Sequence, residues 1–258
     1  MGLREFTDMS SLRGGRSPTK QSLKYECHSG SLRYAREDEV VALRIRIHHG
    51  DYPDLSELIR IKEKYQSMLY VDEAHSFGTL GKTGRGITEY FHVDPKKVDF
   101  LMGTMGKALG SIGGYVAGNH KMINYLKYSA PGFVFSVGLT PASTASALAA
   151  VERLQSHPEL PRQLQNKSKH FISALREGGM NLGDCRITPI VPLMLSSSDK
   201  TLKVCDRLRE LGIFAQAIIY PAVPDDQSRI RLFVTLNHTY KQLDKAAELI
   251  IETVNHLT

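Results

Sequence analysis

The chain has 258 residues, 41% hydrophobic and 23% charged, enough for packed cores and unlike a disordered or fibrous chain. Its 33 basic and 27 acidic side chains leave a formal charge of +6, a mild surplus that suits an anionic ligand without calling for nucleic acid. No run is long and apolar enough for a membrane span. Three widely spaced cysteines, Cys27, Cys185 and Cys205, argue for reduced thiols in a cytoplasmic setting and against a disulfide frame or a metal site.

Residues 1–46 form an atypical N-terminal segment rich in Arg, Ser and Gly, with one plausible strand over Val40–Ile47. Residues 47–156 read as a partial large domain. Apolar positions three and four apart predict a helix over Leu55–Gln66. Short apolar runs predict strands over Met68–Asp72, Val98–Thr104 and Gly113–Gly118, followed by helices over HKMINYLKYS and TPASTASALAAVERLQS. This alternation predicts a largely parallel α/β sheet. HPELP interrupts the helical pattern after Ser156. Residues 157–258 then read as a small α+β domain in the order αβαββα. Its helices are expected over Leu160–Glu177, over DKTLKVCDRLRELG and from about Lys241 to His256, and Gly212 closes the second. Its strands are ITPIVPLML, IFAQAII and RIRLFVTL.

The stretch VDEAHSFGTLGKTGRG, Val71 to Gly86, carries two nucleotide-binding spellings. DEAH resembles a helicase box and GKT the tail of a P-loop, which would make the chain a nucleic-acid-dependent ATPase. A P-loop requires glycine five positions before the lysine's own glycine, and Ser76 stands there. The order is also inverted, because GKT follows the acidic box. A second chemistry fits better. Asp72 ends an apolar strand, and Lys107 lies in the glycine-rich GTMGKALGSIGGY beyond another strand. Both would face the ligand crevice of an open α/β sheet. Pyridoxal phosphate needs a lysine that takes its aldehyde as a Schiff base and a carboxylate partner for its ring nitrogen. Thr104 could meet the phosphate and His75 the ring hydroxyl.

These two segments together resemble the α-oxoamine synthases, fold-type I pyridoxal phosphate enzymes of the aminotransferase class I/II superfamily. The resemblance runs from about Gly50 to the C-terminus and includes GDYPDLSELIRIKEKY, FVFSVGLTP and YPAVPDDQSRIRLFVTLNHT. It implies decarboxylative condensation of an amino acid with an acyl thioester, on coenzyme A or acyl carrier protein, in a homodimer with interfacial active sites. It implies Lys107 as the Schiff-base lysine and proton carrier, Asp72 as ring-nitrogen partner, and His75 as hydroxyl partner. Thr104 becomes a phosphate ligand, Ser136 a ligand to the neighbouring subunit's cofactor, and Arg231 the binder of the substrate carboxylate. Arg229 is expected to be a surface charge.

The family also places a glycine- and serine-rich phosphate loop and a ring-stacking histidine upstream of this region, and residues 1–46 show no copy of either. Ile47 and His49 stand where the family shows Ser and Asp. The expectation is therefore an N-terminally truncated relative. The alternatives to an active synthase are a non-catalytic chain or a partner subunit.

Overall fold

The computed structural model describes residues 42–46, by backbone alone, and residues 52–257. The rest of the expected N-terminal segment, with Cys27, Ile47 and His49, lies outside the described residues.

The first sheet contains β1 (Ala42–Arg46), β2 (Met68–Asp72), β3 (Phe100–Thr104) and β4 (Gly114–Gly118), in that spatial order. β1 therefore joins the sheet from ahead of the boundary expected at residue 46. β1, β2 and β3 run parallel, whereas β4 is antiparallel to β3. β4 is the antiparallel member of the largely parallel sheet that the alternation predicted: its link from β3 is a loop, with no crossover helix to bring the chain back in the same direction.

Helix α1 (Leu55–Tyr65) starts where Asp54 accepts from the N–H groups of Ser56 and Glu57, and it ends at Gln66 in the left-handed region. Its Leu55, Leu58 and Ile59 pack with Leu69 and Val71 of β2, Leu80 and Ile87. In β2, Leu69 and Val71 face this core, so Asp72 belongs to the opposite face by the period of two. The start of β2 is pinned by Asp99, which accepts from Leu69 N–H at 2.7 Å and pairs with Lys62 at 2.8 Å. The short α2 (Ile87–Tyr90) and α4 (Pro131–Val134) were not visible in the periodicity, because one turn of helix has none. Helices α3 (His120–Ser129) and α5 (Pro141–Ser156) match expectation.

The second unit follows the order α6 (Leu160–Glu177), β5 (Ile190–Met194), α7 (Ser198–Glu210), β6 (Gln216–Ile218), β7 (Arg229–Phe233), α8 (Tyr240–Leu257). Its sheet is antiparallel, ordered β5-β7-β6. Ile230 and Leu232 of β7 join Val191 and Leu193 of β5 in a core closed by Phe171, Leu175, Val204, Leu208, Ile250 and their neighbours. Arg229 and Arg231 alternate with those residues and so occupy the other face of the sheet. Among the described residues, no helix is long and apolar enough to cross a membrane.

Candidate functional site

At the edge of the sheet the chain turns immediately after Asp72, whose carboxylate accepts from Ala74 N–H at 3.1 Å. Glu73 N–H donates to Met102 O at 2.7 Å, prolonging the β2–β3 ladder by one bond. The Glu73 side chain goes into the interior, where it is 4% exposed. There its carboxyl accepts from Ile87 N–H at 2.9 Å and from Thr88 N–H, at the start of α2. Burial pushes its pKa up to about 7, although the two backbone donors pull the other way. Gly86 has a φ of +89°, and a Cβ there would stand 2.6 Å from a Glu73 oxygen. The motif is thus built around Glu73, which the sequence reading passed over. The signal was an acidic residue on the side of the strand end that alternation assigns to the core.

The GKT letters form a turn that already holds an anion of its own. The Glu89 carboxylate accepts from Thr83 N–H at 3.0 Å, Thr83 Oγ1 at 2.8 Å and Arg85 N–H at 3.0 Å. Those amides cannot also wrap a nucleotide phosphate, and Lys82 is exposed. The ATPase alternative therefore fails on geometry as well as on spelling. His75 lies between Asp72 and this turn. Its carbonyl accepts from Thr79 Oγ1 at 2.7 Å, which fixes its backbone.

Lys107 is carried by the loop between β3 and β4. Met105 N–H donates to Gly113 O at 2.9 Å and Ser111 N–H to Met105 O at 2.8 Å, closing the loop on itself. Ser111 Oγ donates to Ser143 O of α5 at 2.6 Å, and Leu109 is buried beneath. The Thr104 hydroxyl accepts from Gly106 N–H and donates to Gly113 O, each at 3.3 Å. Both contacts are long, and the oxygen stands at the loop mouth. Gly78 has a φ of +77°, and a Cβ there would lie 2.5 Å from the Ala108 Cβ. The loop after His75 therefore backs directly onto the neighbour of Lys107.

Lys107 is exposed as a residue, but partial burial of its amine lowers its pKa by desolvation. The Asp72 carboxylate opposes that shift, and the Arg231 guanidinium reinforces it. Asp72 from the first sheet, Lys107 from its loop and Arg231 from the second sheet thus meet electrostatically at the seam between the two units. Arg231 is half-buried, stacks over Phe233 with 5.9 Å to the ring centroid, and has its own pKa lowered by desolvation and by Arg229. Arg229 is not the surface charge expected: it is 9% exposed, and its Nε donates to Gln227 O at 2.9 Å. Gln227 holds its guanidinium back along the chain, through both its carbonyl and its side-chain amide oxygen. Ser136 lies in the exposed stretch 131–140, where its hydroxyl donates to Phe133 O at 3.1 Å.

The family model for aminotransferase class I and II matches residues 49–250. The chain belongs to that family. It is 41% identical over 200 residues to an 8-amino-7-oxononanoate synthase of Treponema denticola, an alignment covering 78% of this chain and 50% of that protein. It is 39% identical over 202 residues to a serine palmitoyltransferase of Sphingobacterium spiritivorum, again covering 78% and 50%. These relatives put it among the α-oxoamine synthases of the family. The fold matches serine palmitoyltransferase from S. paucimobilis with bound PLP–myriocin at a TM-score of 0.80 and 23% identity, over 86% of this chain and 57% of that one. It matches 8-amino-7-oxononanoate synthase from Francisella tularensis at 0.73 and 26%, over 85% and 64%. The chain thus spans about half the length of the relatives it matches in sequence. The donor set at the seam, an amine in electrostatic reach of a carboxylate and a guanidinium with an imidazole on the adjoining loop, fits a phosphorylated aldehyde with a basic ring nitrogen.

Proposed function

We propose that this chain carries the lysine side of a pyridoxal phosphate-dependent α-oxoamine synthase site, condensing an amino acid with an acyl thioester as carbon dioxide leaves. One observation carries the reading: Lys107 lies within electrostatic reach of both the Asp72 carboxylate and the Arg231 guanidinium, where desolvation draws its pKa down. A lysine amine that loses its proton more readily is a better nucleophile toward an aldehyde and a better base near neutral pH. When bound, the cofactor supplies an electron sink for negative charge at the substrate's α-carbon. Asp72 would hold the cofactor's ring nitrogen in its protonated form by opposite charge, and His75 would hydrogen-bond its ring hydroxyl. Thr104 offers its hydroxyl to the phosphate. Arg231 grips the substrate carboxylate with a planar two-bond fork and so orients the α-carbon toward Lys107. The free amine of Lys107 then removes the α-proton.

The donor is an acyl-CoA or acyl carrier protein and the acceptor a small amino acid; the name of one relative, serine palmitoyltransferase, supports an acyl group passed to an amino acid. Ser136, exposed within a run that also exposes Phe133, Val134, Phe135, Val137 and Leu139, is suited to reach the cofactor phosphate of a second subunit in a homodimer. The buried thiols of Cys185 and Cys205 suit a cytoplasmic enzyme. The test is covalent fixation. Protein incubated with pyridoxal phosphate and then sodium borohydride is expected to carry the pyridoxyl group on the peptide containing Lys107. A group found on Lys82 in its place would overturn the assignment. Arg231→Lys should keep that fixation yet weaken amino-acid binding by about 1.5–3 kcal/mol, the scale of a hydrogen bond to a charged group.

A further inference from the structure

Helix α6 touches both halves of the site through side chains only two residues apart. Gln165 points toward the DEAH loop and donates from its amide nitrogen to Thr79 O at 2.7 Å and Gly81 O at 2.8 Å. Thr79 in turn donates to His75 O, and Gly78 packs against Ala108 beside Lys107. Lys167 points toward the segment after β7 and donates to Leu236 O at 2.5 Å and His238 O at 2.6 Å. That segment continues directly from the strand of Arg231. Between these two ties the helix is rigid, because Leu164, Ser168, Phe171 and Ile172 are buried along it.

We propose that α6 is the spacer that sets the separation of Arg231 from Lys107, and that Gln165 is the positioning residue fixing it. A side-chain amide suits this work. Its two N–H donors satisfy two carbonyls that a glycine-rich turn cannot pair by itself, and it adds no charge beside Lys107. Loss of the grip leaves other contacts between the units in place, notably the Arg186 guanidinium over the Tyr52 ring at 5.6 Å. The fold therefore survives while the seam loosens. A looser seam admits water to Lys107 and moves Arg231 away from it, and both changes favour the protonated amine. Of the groups facing that amine, Asp72 lies on the same unit and keeps its place.

The proposal rests on Lys107 being the functional amine, but its test is read on the apoprotein and needs no bound aldehyde. The full chain is acetylated with limiting acetic anhydride across a pH series, and labelling of Lys107 and Lys82 is followed on their peptides. Gln165→Met is expected to raise the pH midpoint of Lys107 labelling by about half a unit, so that its rate at a pH below the midpoint falls about threefold relative to Lys82. Gln163→Met, exposed on the same helix, should leave it where it was. Should Gln165→Met fail to fold, Lys167→Met cuts the other tie and is expected to shift the midpoint in the same direction. An unchanged midpoint in a folded Gln165→Met protein overturns the proposal, as does an equal shift in Gln163→Met. Borohydride fixation at Lys107 with no such shift would sink the spacer alone. The shift without fixation would sink the cofactor reading alone.

Discussion

The two units bury their apolar residues very differently. The unit from Leu160 onward has a closed core in which Leu175, Leu193, Leu208, Ile230 and Ile250 are at most 1% exposed, with α6, α7 and α8 against one face of its sheet. The unit before it has a smaller core, centred on Leu55, Leu69, Val71, Leu80 and Ile87. Beyond that core it leaves Ile112, Tyr125, Tyr128, Phe135, Val137 and Leu148 between 56% and 95% exposed. Its last strand, β4, is open to solvent along most of its length. Burial on this scale is what stabilises a fold, and exposure on this scale marks a surface made to be covered. The proposed site sits at the join. Asp72 and Lys107 come from the unit with the open surface, and Arg231 comes from the closed one.

The largest effect expected from this contrast is in the closed core. Leu193, 1% exposed on β5, packs between helices that have no room to collapse, so Leu193→Ala should cost about 2–5 kcal/mol. Urea unfolding followed by circular dichroism measures it. A loss below about 1 kcal/mol would mean that this core is not what holds the second unit together.

A smaller effect belongs to Glu73, in the other unit. Its folded pKa, about 7, is raised above the 4.5 of a free glutamate. Between those values the folded chain keeps a proton that the unfolded chain has lost. Its contribution to stability is therefore complete below about pH 4.5 and is lost as pH rises to about 7. A shift of that size corresponds to up to about 3 kcal/mol. Glu73→Gln cannot titrate, so the difference in unfolding free energy between variant and wild type should grow in the variant's favour from pH 5 to pH 8, by about 1–3 kcal/mol. A difference that is flat across that range would show that the carboxyl is ionised in the fold throughout.

Much of this was legible in the residues because period and position agree. Long amphipathic helices such as α6 and α8 announce their core face over five turns, and β2 ends at Asp72 because the apolar run ends there. Gly212 closes the helix before it with a φ of +82°, as a glycine at that place should. The antiparallel course of β4 was not legible, since a five-residue strand reads the same in both directions. Arg229 was misjudged for a related reason: an arginine on a strand looks exposed, and alternation does not show what covers the face opposite the core. Gln165 lay wholly beyond reach, and for Glu73 alternation marked the inward side but not the partners. Their meaning depends on amides and carbonyls contributed by distant turns, and backbone atoms leave no mark in a sequence.

The smallest expected effect on folding comes from the open surface, and there the contrast is most easily broken. Phe135 is 88% exposed and Val137 is 95% exposed. Neither packs against anything within its own chain that folding would lose. Phe135→Ser and Val137→Ser should therefore change the unfolding free energy by no more than about 0.5 kcal/mol at concentrations where the chain is monomeric. The same substitutions remove apolar area from a patch that a second subunit would cover, so association should weaken, read as a rise in the dissociation constant by sedimentation. The two measurements separate the explanations. A large folding loss with unchanged association would mean that the patch folds back onto its own unit in solution. Weakened association with folding intact would locate the subunit contact beside Ser136, on the unit that supplies Lys107.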